Sequence, residues 1–257
     1  MGTGMARGAA RRGMRVAFGD GKRIMWDQNS RLIFHGNPNI ATPGQEKSSN
    51  LEWIPFYKGH RIYNKNAGDH WEWNMDFRPI RGEIIFVKQE KYFAERAHSE
   101  GFVVVEPNVP SWKSVAPNKQ WPVERYNEVA RLLKSRGLQV VQFIYPRGSK
   151  HVIPDAKKIS TPTFRHMAAL LERAAIYVGP EGGMHHAAAA VKTPGVVIFG
   201  GFIPPSVTGY DIHTNLAADT EACGSFKPCA HCKEAMASIG VEEVIAGVEK
   251  HMSMVAA

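Results

Sequence analysis

From Phe102 onward the chain alternates short apolar runs with amphipathic stretches, and this pattern constrains the fold more than any other feature. FVVVEPN (102–108), LQVVQFIY (138–145), AAIYV (174–178) and VVIFG (196–200) read as buried strands. Between them, Tyr126, Val129, Leu132 and Leu133 share one helical face, with Pro122 at the start and Gly137 at the end. Phe164, Met167, Leu170 and Leu171 share another after Thr161 and Pro162, and VEEVIAGVEKHM forms a terminal helix. Strands and helices alternating at these lengths imply a parallel sheet covered on both faces, an α/β doubly wound unit from residue 101 to the end.

Residues 1–100 are less regular. GTGMARGAARRG reads as a helix closed by Gly13 and MRVAF as a strand ending at Gly19; EIIFV (83–87) reads as another strand, followed by a helix through Phe93. The Arg-rich, acid-free start superficially resembles an organelle transit peptide, but the helix-then-strand reading accounts for more of its residues. No apolar run approaches the length of a membrane span. Three cysteines confined to one segment make no disulfide framework, so a soluble, cytoplasmic protein is expected. A net charge of +8 favours polyanionic partners such as phosphorylated ligands, nucleic acid or anionic envelope lipid, without choosing among them.

GPEGGMHH (179–186) links a strand to a helix, at the sheet edge where open α/β sheets bind ligands. Gly182 and Gly183 permit close approach of a ligand to the backbone, and the helix amides suit an anion. Glu181 can accept from the hydroxyls of a sugar, while His185 or His186 can donate to phosphate or transfer protons. Lys119, in SVAPNKQWP after the first strand of the same sheet, can reach that edge and neutralise a diphosphate.

Three segments, NKQWPVERYNEVARLLKSRG, ISTPTFRHMAALLERAAIYVGPEGGMHHAAAAVKTPGVVIFGG and CGSFKPCAHCKEAMASIGVEEV, together resemble the carboxyl-terminal domain of the heptosyltransferase-like glycosyltransferases, family nine. The resemblance implies a GT-B fold: two Rossmann-like doubly wound domains, here 1–100 on the acceptor side, shortened, and 101–257 holding a nucleotide sugar such as a UDP- or ADP-sugar. It also implies inverting transfer with no metal required for catalysis. By position, Lys119 corresponds to the family's phosphate-contacting lysine and Glu181 to His185 to its Asp-Thr-Gly-x-x-His motif, with Glu181 and Gly182 replacing Asp and Thr. The family's catalytic Asp follows a first strand that precedes the first helix, whereas this sequence starts at that helix. Asp20, after the strand MRVAF, is the expected substitute base, ahead of Asp27, Asp69 and Glu181; its Asp-Gly context equally suits a turn.

Cys223, Cys229, His231 and Cys232 have spacing suited to tetrahedral zinc. His231 between two of the cysteines would strain a single site, however, and the resemblance implies such segments without a metal role, so zinc is not the expected reading. For the acceptor, the resemblance points to lipopolysaccharide core or another envelope glycan. Arg7, Arg11 and Arg23, together with Trp71, Trp73 and the aromatic-basic stretch WIPFYKGHRIY, tilt the expectation modestly toward DNA carrying a hydroxymethylated base. A binding protein without transferase activity is the alternative from another class.

Overall fold

The structure is a computed structural model that describes residues 1–55, 62–109, 114–145 and 149–256, with side chains described through Ser253. Part of WIPFYKGHRIY therefore lies outside the described residues. The amino-terminal elements are α1 (Gly2–Ala10), β1 (Arg15–Gly19), α2 (Gln28–Phe34), β2 (Leu51–Pro55), β3 (Asn64–Asn66), β4 (Trp71–Trp73) and α3 (Lys88–Ala97). They are followed by β5 (Val103–Val105), a 3₁₀ turn at Ala116–Lys119, α4 (Val123–Ser135), β6 (Val140–Ile144), β7 (Lys157–Ser160), α5 (Phe164–Leu171) and β8 (Ile176–Pro180). The chain continues through α6 (Gly183–Ala190), β9 (Gly195–Gly200), α7 (Pro205–Thr208), β10 (His213–Ala217), α8 (Ala230–Ser238) and α9 (Val241–Ala256).

Six strands form one sheet in the order β10-β9-β8-β5-β6-β7, every adjacent pair parallel. Its two faces follow directly from the two-residue period of a strand. Val103, Val105, Ile176, Val178, Val196 and Ile198 point to one face, where they pack with Tyr126, Val129 and Leu133 of α4 and Val244 and Val248 of α9. Phe102, Val104, Tyr177, Val197 and Phe199 point to the other, against Met167, Leu170 and Leu171 of α5 and the small α6 residues Ala187 and Ala188. Continuous apolar runs are what a sheet buried on both faces requires. Gly137 ends α4 at φ +80°, a conformation that glycine adopts without steric cost.

The chain leaves β5 toward β6 and β7, then returns to place β8 on the other side of β5. This reversal opens a crevice at the carboxyl ends of β5 and β8, the topological switch point.

The amino-terminal sheet is small: β1 pairs with β2 in parallel, over a cluster of Ala6, Ala9, Val16, Phe18 and Ile40. EIIFV is not a strand. Residues 83–87 run without a ladder partner; Ile84 and Phe86 pack on the large core, and the Ile85 carbonyl accepts from Arg165. Arg165, itself buried, also forms a bidentate pair with Glu90 of α3 at 2.5 and 2.9 Å and donates to Leu32 O at 2.9 Å. One guanidinium thereby ties α2 and α3 to α5. No helix among the described residues is long and apolar enough to cross a membrane.

Candidate active site at the switch point

Lys119 ends the 3₁₀ turn that follows β5, and Glu181 immediately follows β8. Their side chains meet as an ion pair across the crevice, the Lys119 ammonium also lying 5.0 Å from the centre of the Phe202 ring. Glu181 is buried, which opposes its ionisation, but the Lys119 charge and hydrogen bond, with a smaller contribution from Thr208, outweigh that penalty and hold the carboxyl below the usual range. It is therefore a carboxylate at neutral pH. Its other oxygen lies 3.8 Å from His186 Nε2, and His186 Nδ1 is 2.9 Å from the Tyr210 hydroxyl.

Two local features build this edge. The backbone passes close to its neighbours at Gly179, where an added Cβ would fall 2.3 Å from the Tyr177 hydroxyl and 3.0 Å from Glu106 O. At Gly182 and Gly183, by contrast, an added Cβ would meet nothing within 4 Å, so the amino-terminal end of α6 faces open space. An anionic group there would meet backbone amides and the positive end of the helix.

The two histidines separate in role. His185 is fully buried; its Nε2 lies 2.9 Å from the Thr208 carbonyl, and its Nδ1 lies 3.0 Å from the Gly182 amide nitrogen. Burial pushes its pKa down despite Glu181, consistent with a neutral ring that donates through Nε2 and accepts at Nδ1. The expected ligand contact from His185 would thus break the bonds that fasten the turn. His186 is the half-buried member and faces the site.

Asp20 sits in an exposed turn after β1, its Oδ1 accepting from the amides of Lys22 at 2.9 Å and Arg23 at 2.7 Å. Those bonds hold its pKa down and make it a weak base. Asp27 caps α2, accepting from Ser30 N, and Asp69 is exposed beside His70. The expected acceptor residues mostly have intramolecular partners. Arg7 donates to Arg81 O at 3.0 Å, Arg23 lies 3.7 Å from Asp20, Trp71 packs edge-on against Phe226 and Trp73 against Phe202, while Arg11 is exposed.

Sequence reasoning missed several contributors. Asn118 is buried and donates to Ser225 O at 3.2 Å and Lys227 O at 2.8 Å, fixing the turn that carries Lys119. Its place beside Lys119 in APNK was the one available signal. Tyr210, which lines a cleft of about 550 Å³ with Arg78, Arg81, Ser206 and Asp211, had none. Glu106, at the end of β5, is buried with Oε1 accepting from Asn108 N and Nδ2, while Oε2 has no hydrogen-bond partner among the described residues.

Residues 87–240 match the sequence profile of glycosyltransferase family 9 (heptosyltransferase). The chain belongs to that family. No curated protein matches the sequence. Among solved structures, ADP-heptose lipopolysaccharide heptosyltransferase II of E. coli is 18% identical, with a TM-score of 0.51 over 68% of this chain and 54% of that one. The family 9 glycosyl transferase of Veillonella parvula DSM 2008 is 16% identical, with 0.53 over 68% and 55%. TibC, an iron-containing dodecameric glycosyltransferase of enterotoxigenic E. coli H10407, is 18% identical, with 0.51 over 69% and 49%. This family 9 chain spans about half the length of those structures. The likeness supports the α/β, GT-B-type fold expected from the sequence.

Proposed function

We propose that the protein transfers a sugar from a nucleotide-sugar donor to a hydroxyl of an anionic acceptor. The observation that carries this reading is the Lys119–Glu181 pair across the switch point. A donor diphosphate placed over the open end of α6 takes the Lys119 ammonium as its counter-charge, because a dianion outcompetes a single carboxylate for it. Glu181, released, then faces His186 with its negative charge, the arrangement that lets an imidazole accept a proton. His186 takes the acceptor's proton, with the Tyr210 hydroxyl between its Nδ1 and the cleft; Asp20, the alternative base, is weakened by its two amide bonds.

The cleft beyond Tyr210 carries Arg78 and Arg81, which suits a phosphate- or carboxylate-bearing acceptor. An envelope glycan is the acceptor class this supports best. The DNA reading drew on Arg7, Arg11 and Arg23, on the stretch WIPFYKGHRIY, and on Trp71 and Trp73 as stacking surfaces; of these, the two tryptophans pack edge-on against phenylalanines.

The test is calorimetry with a panel of UDP- and ADP-sugars, followed by mass spectrometry of lipopolysaccharide core oligosaccharides and of duplex DNA containing 5-hydroxymethylcytosine. A one-sugar mass gain on the oligosaccharide is expected. Gain only on DNA would return that acceptor to first place, and donor binding without any transfer or hydrolysis would leave a binding protein. His186→Gln should abolish turnover with donor affinity retained, whereas loss in Asp20→Asn alone would move the base to Asp20.

A further inference from the structure

The segment joining β10 to α8 is short of apolar residues, yet it is closely organised. Cys223, Cys229, Cys232 and His231 each direct a ligand atom into one cluster, all four atoms lying within 4.8 Å of one another. The Cys223 sulfur is 3.8 Å from that of Cys229 and 3.2 Å from that of Cys232. Thiolates around a tetrahedral ion at bond lengths of about 2.3 Å lie about 3.8 Å apart, so only sub-ångström movements separate these atoms from a closed coordination shell. The imidazole supplies an independent observation. His231 Nε2 lies 2.9 Å from Thr220 Oγ1, but its Nδ1 is buried without a hydrogen-bond partner among the described residues. One nitrogen held by a neighbour and the other unsatisfied is the arrangement of a histidine oriented for a metal.

We propose that Cys223, Cys229, Cys232 and His231 bind one tetrahedral transition-metal ion, zinc or iron, as a structural centre. The objection that His231 would strain such a site is met by the start of α8. Cys229 is the extended residue before the helix, at φ −137° and ψ 154°, so its sulfur hangs off the helix end while His231 and Cys232 reach in from the first turn. Four protein ligands leave no open position, so the ion holds structure and takes no part in transfer.

What it holds is informative. Asn118, next to Lys119, bonds Ser225 O and Lys227 O and accepts from Cys229 N at 3.1 Å. From the other side Trp71 N donates to Gly224 O at 2.9 Å, and Phe226 N donates to Asp69 O at 3.0 Å. The metal-closed loop would thus brace both the Lys119 turn and the β3–β4 hairpin. The proposal does not rest on the transferase reading, because metal content is measured without donor or acceptor.

The test is elemental analysis of the full chain purified under reducing conditions from medium supplemented with zinc and iron. About one ion per chain is expected, the element found distinguishing zinc from iron, with loss of most of it in Cys229→Ser and in His231→Gln. Both variants replace residues outside the fully buried set, and circular dichroism checks that they fold. Chelation should lower the unfolding temperature of the wild type and leave that of Cys229→Ser unmoved. Less than about a tenth of an equivalent after reconstitution with either ion, with all three thiols reactive toward a thiol reagent, would overturn the proposal. A Cys223–Cys232 disulfide under reducing conditions, or unchanged metal content in both variants, would overturn it as well.

Discussion

Lys119 and Glu181 lie 62 positions apart and meet as a largely buried ion pair, each on the loop that leaves one of the two strands flanking the switch point. Removing one partner leaves the other charge uncompensated. Lys119→Met should therefore destabilise the fold by about 3 to 5 kcal/mol, and Lys119→Met/Glu181→Gln should recover most of the loss. The signs with pH also differ. Glu181 has a lowered pKa in the wild type, so its contribution is present above the usual carboxylate range and disappears as the pH falls through its folded pKa. In Lys119→Met burial loses its main opponent, and stability should instead rise as the pH falls. Urea titrations at several pH values measure both. In the donor complex the same substitution should cost about 1.5 to 3 kcal/mol of affinity, read by calorimetry with the nucleotide diphosphate.

Glu106 gives the opposite case. Burial raises its pKa to about 7, against partial relief from the Asn108 hydrogen bonds. The folded state therefore binds more protons than the unfolded state between the ordinary carboxylate pKa and about pH 7, and stability should decline as the pH rises through that window. Glu106→Gln should remove the decline, making the variant more stable than wild type at pH 8 by on the order of 3 kcal/mol. An identical pH slope in wild type and variant would contradict the assignment.

Outside the site, Arg165 is a buried guanidinium that joins three helices. Its partners are Glu90 and the carbonyls of Leu32, His35 and Ile85. Arg165→Ala should cost about 3 to 5 kcal/mol in denaturant unfolding, because a buried carboxylate and several carbonyls lose their donor. Arg165→Met/Glu90→Leu should cost clearly less than Arg165→Ala, as replacing a buried pair by apolar groups removes the unpaired charge.

The central strands were legible because burial on both sheet faces writes uninterrupted apolar runs, and α4 and α5 because each carries one apolar stripe; α2, α7 and α8 were not read. The sheet's edges were not. Lys157–Ser160 has one buried residue, Ile159, and His213–Ala217 is half polar, since an edge strand is covered on fewer sides. EIIFV carried the composition of a strand, but its Ile85 carbonyl is taken by Arg165 instead of a ladder. Within the site, Lys119 and Glu181 could be placed because each follows a recognisable strand. Asn118 and Tyr210 could not, because their partners come from distant segments: Ser225 is 107 positions from Asn118, and His186 is 24 from Tyr210.

Gly182 separates a packing role from a binding role. Its φ of 164° is extended backbone open to any residue, and a Cβ there meets no neighbour within 4 Å. Gly182→Ala should therefore leave stability unchanged or raise it by about 0.4 to 1 kcal/mol, since alanine restricts the unfolded chain. If a donor lies over the amino-terminal end of α6, the added methyl occupies its space, and Gly182→Leu occupies more. Donor affinity should fall about tenfold or more in the leucine variant, equivalent to about 1.4 kcal/mol, while the unfolding temperature holds. Equal affinity in wild type and both variants would place the diphosphate away from this turn and leave Lys119 to be explained by its bond to Glu181 alone.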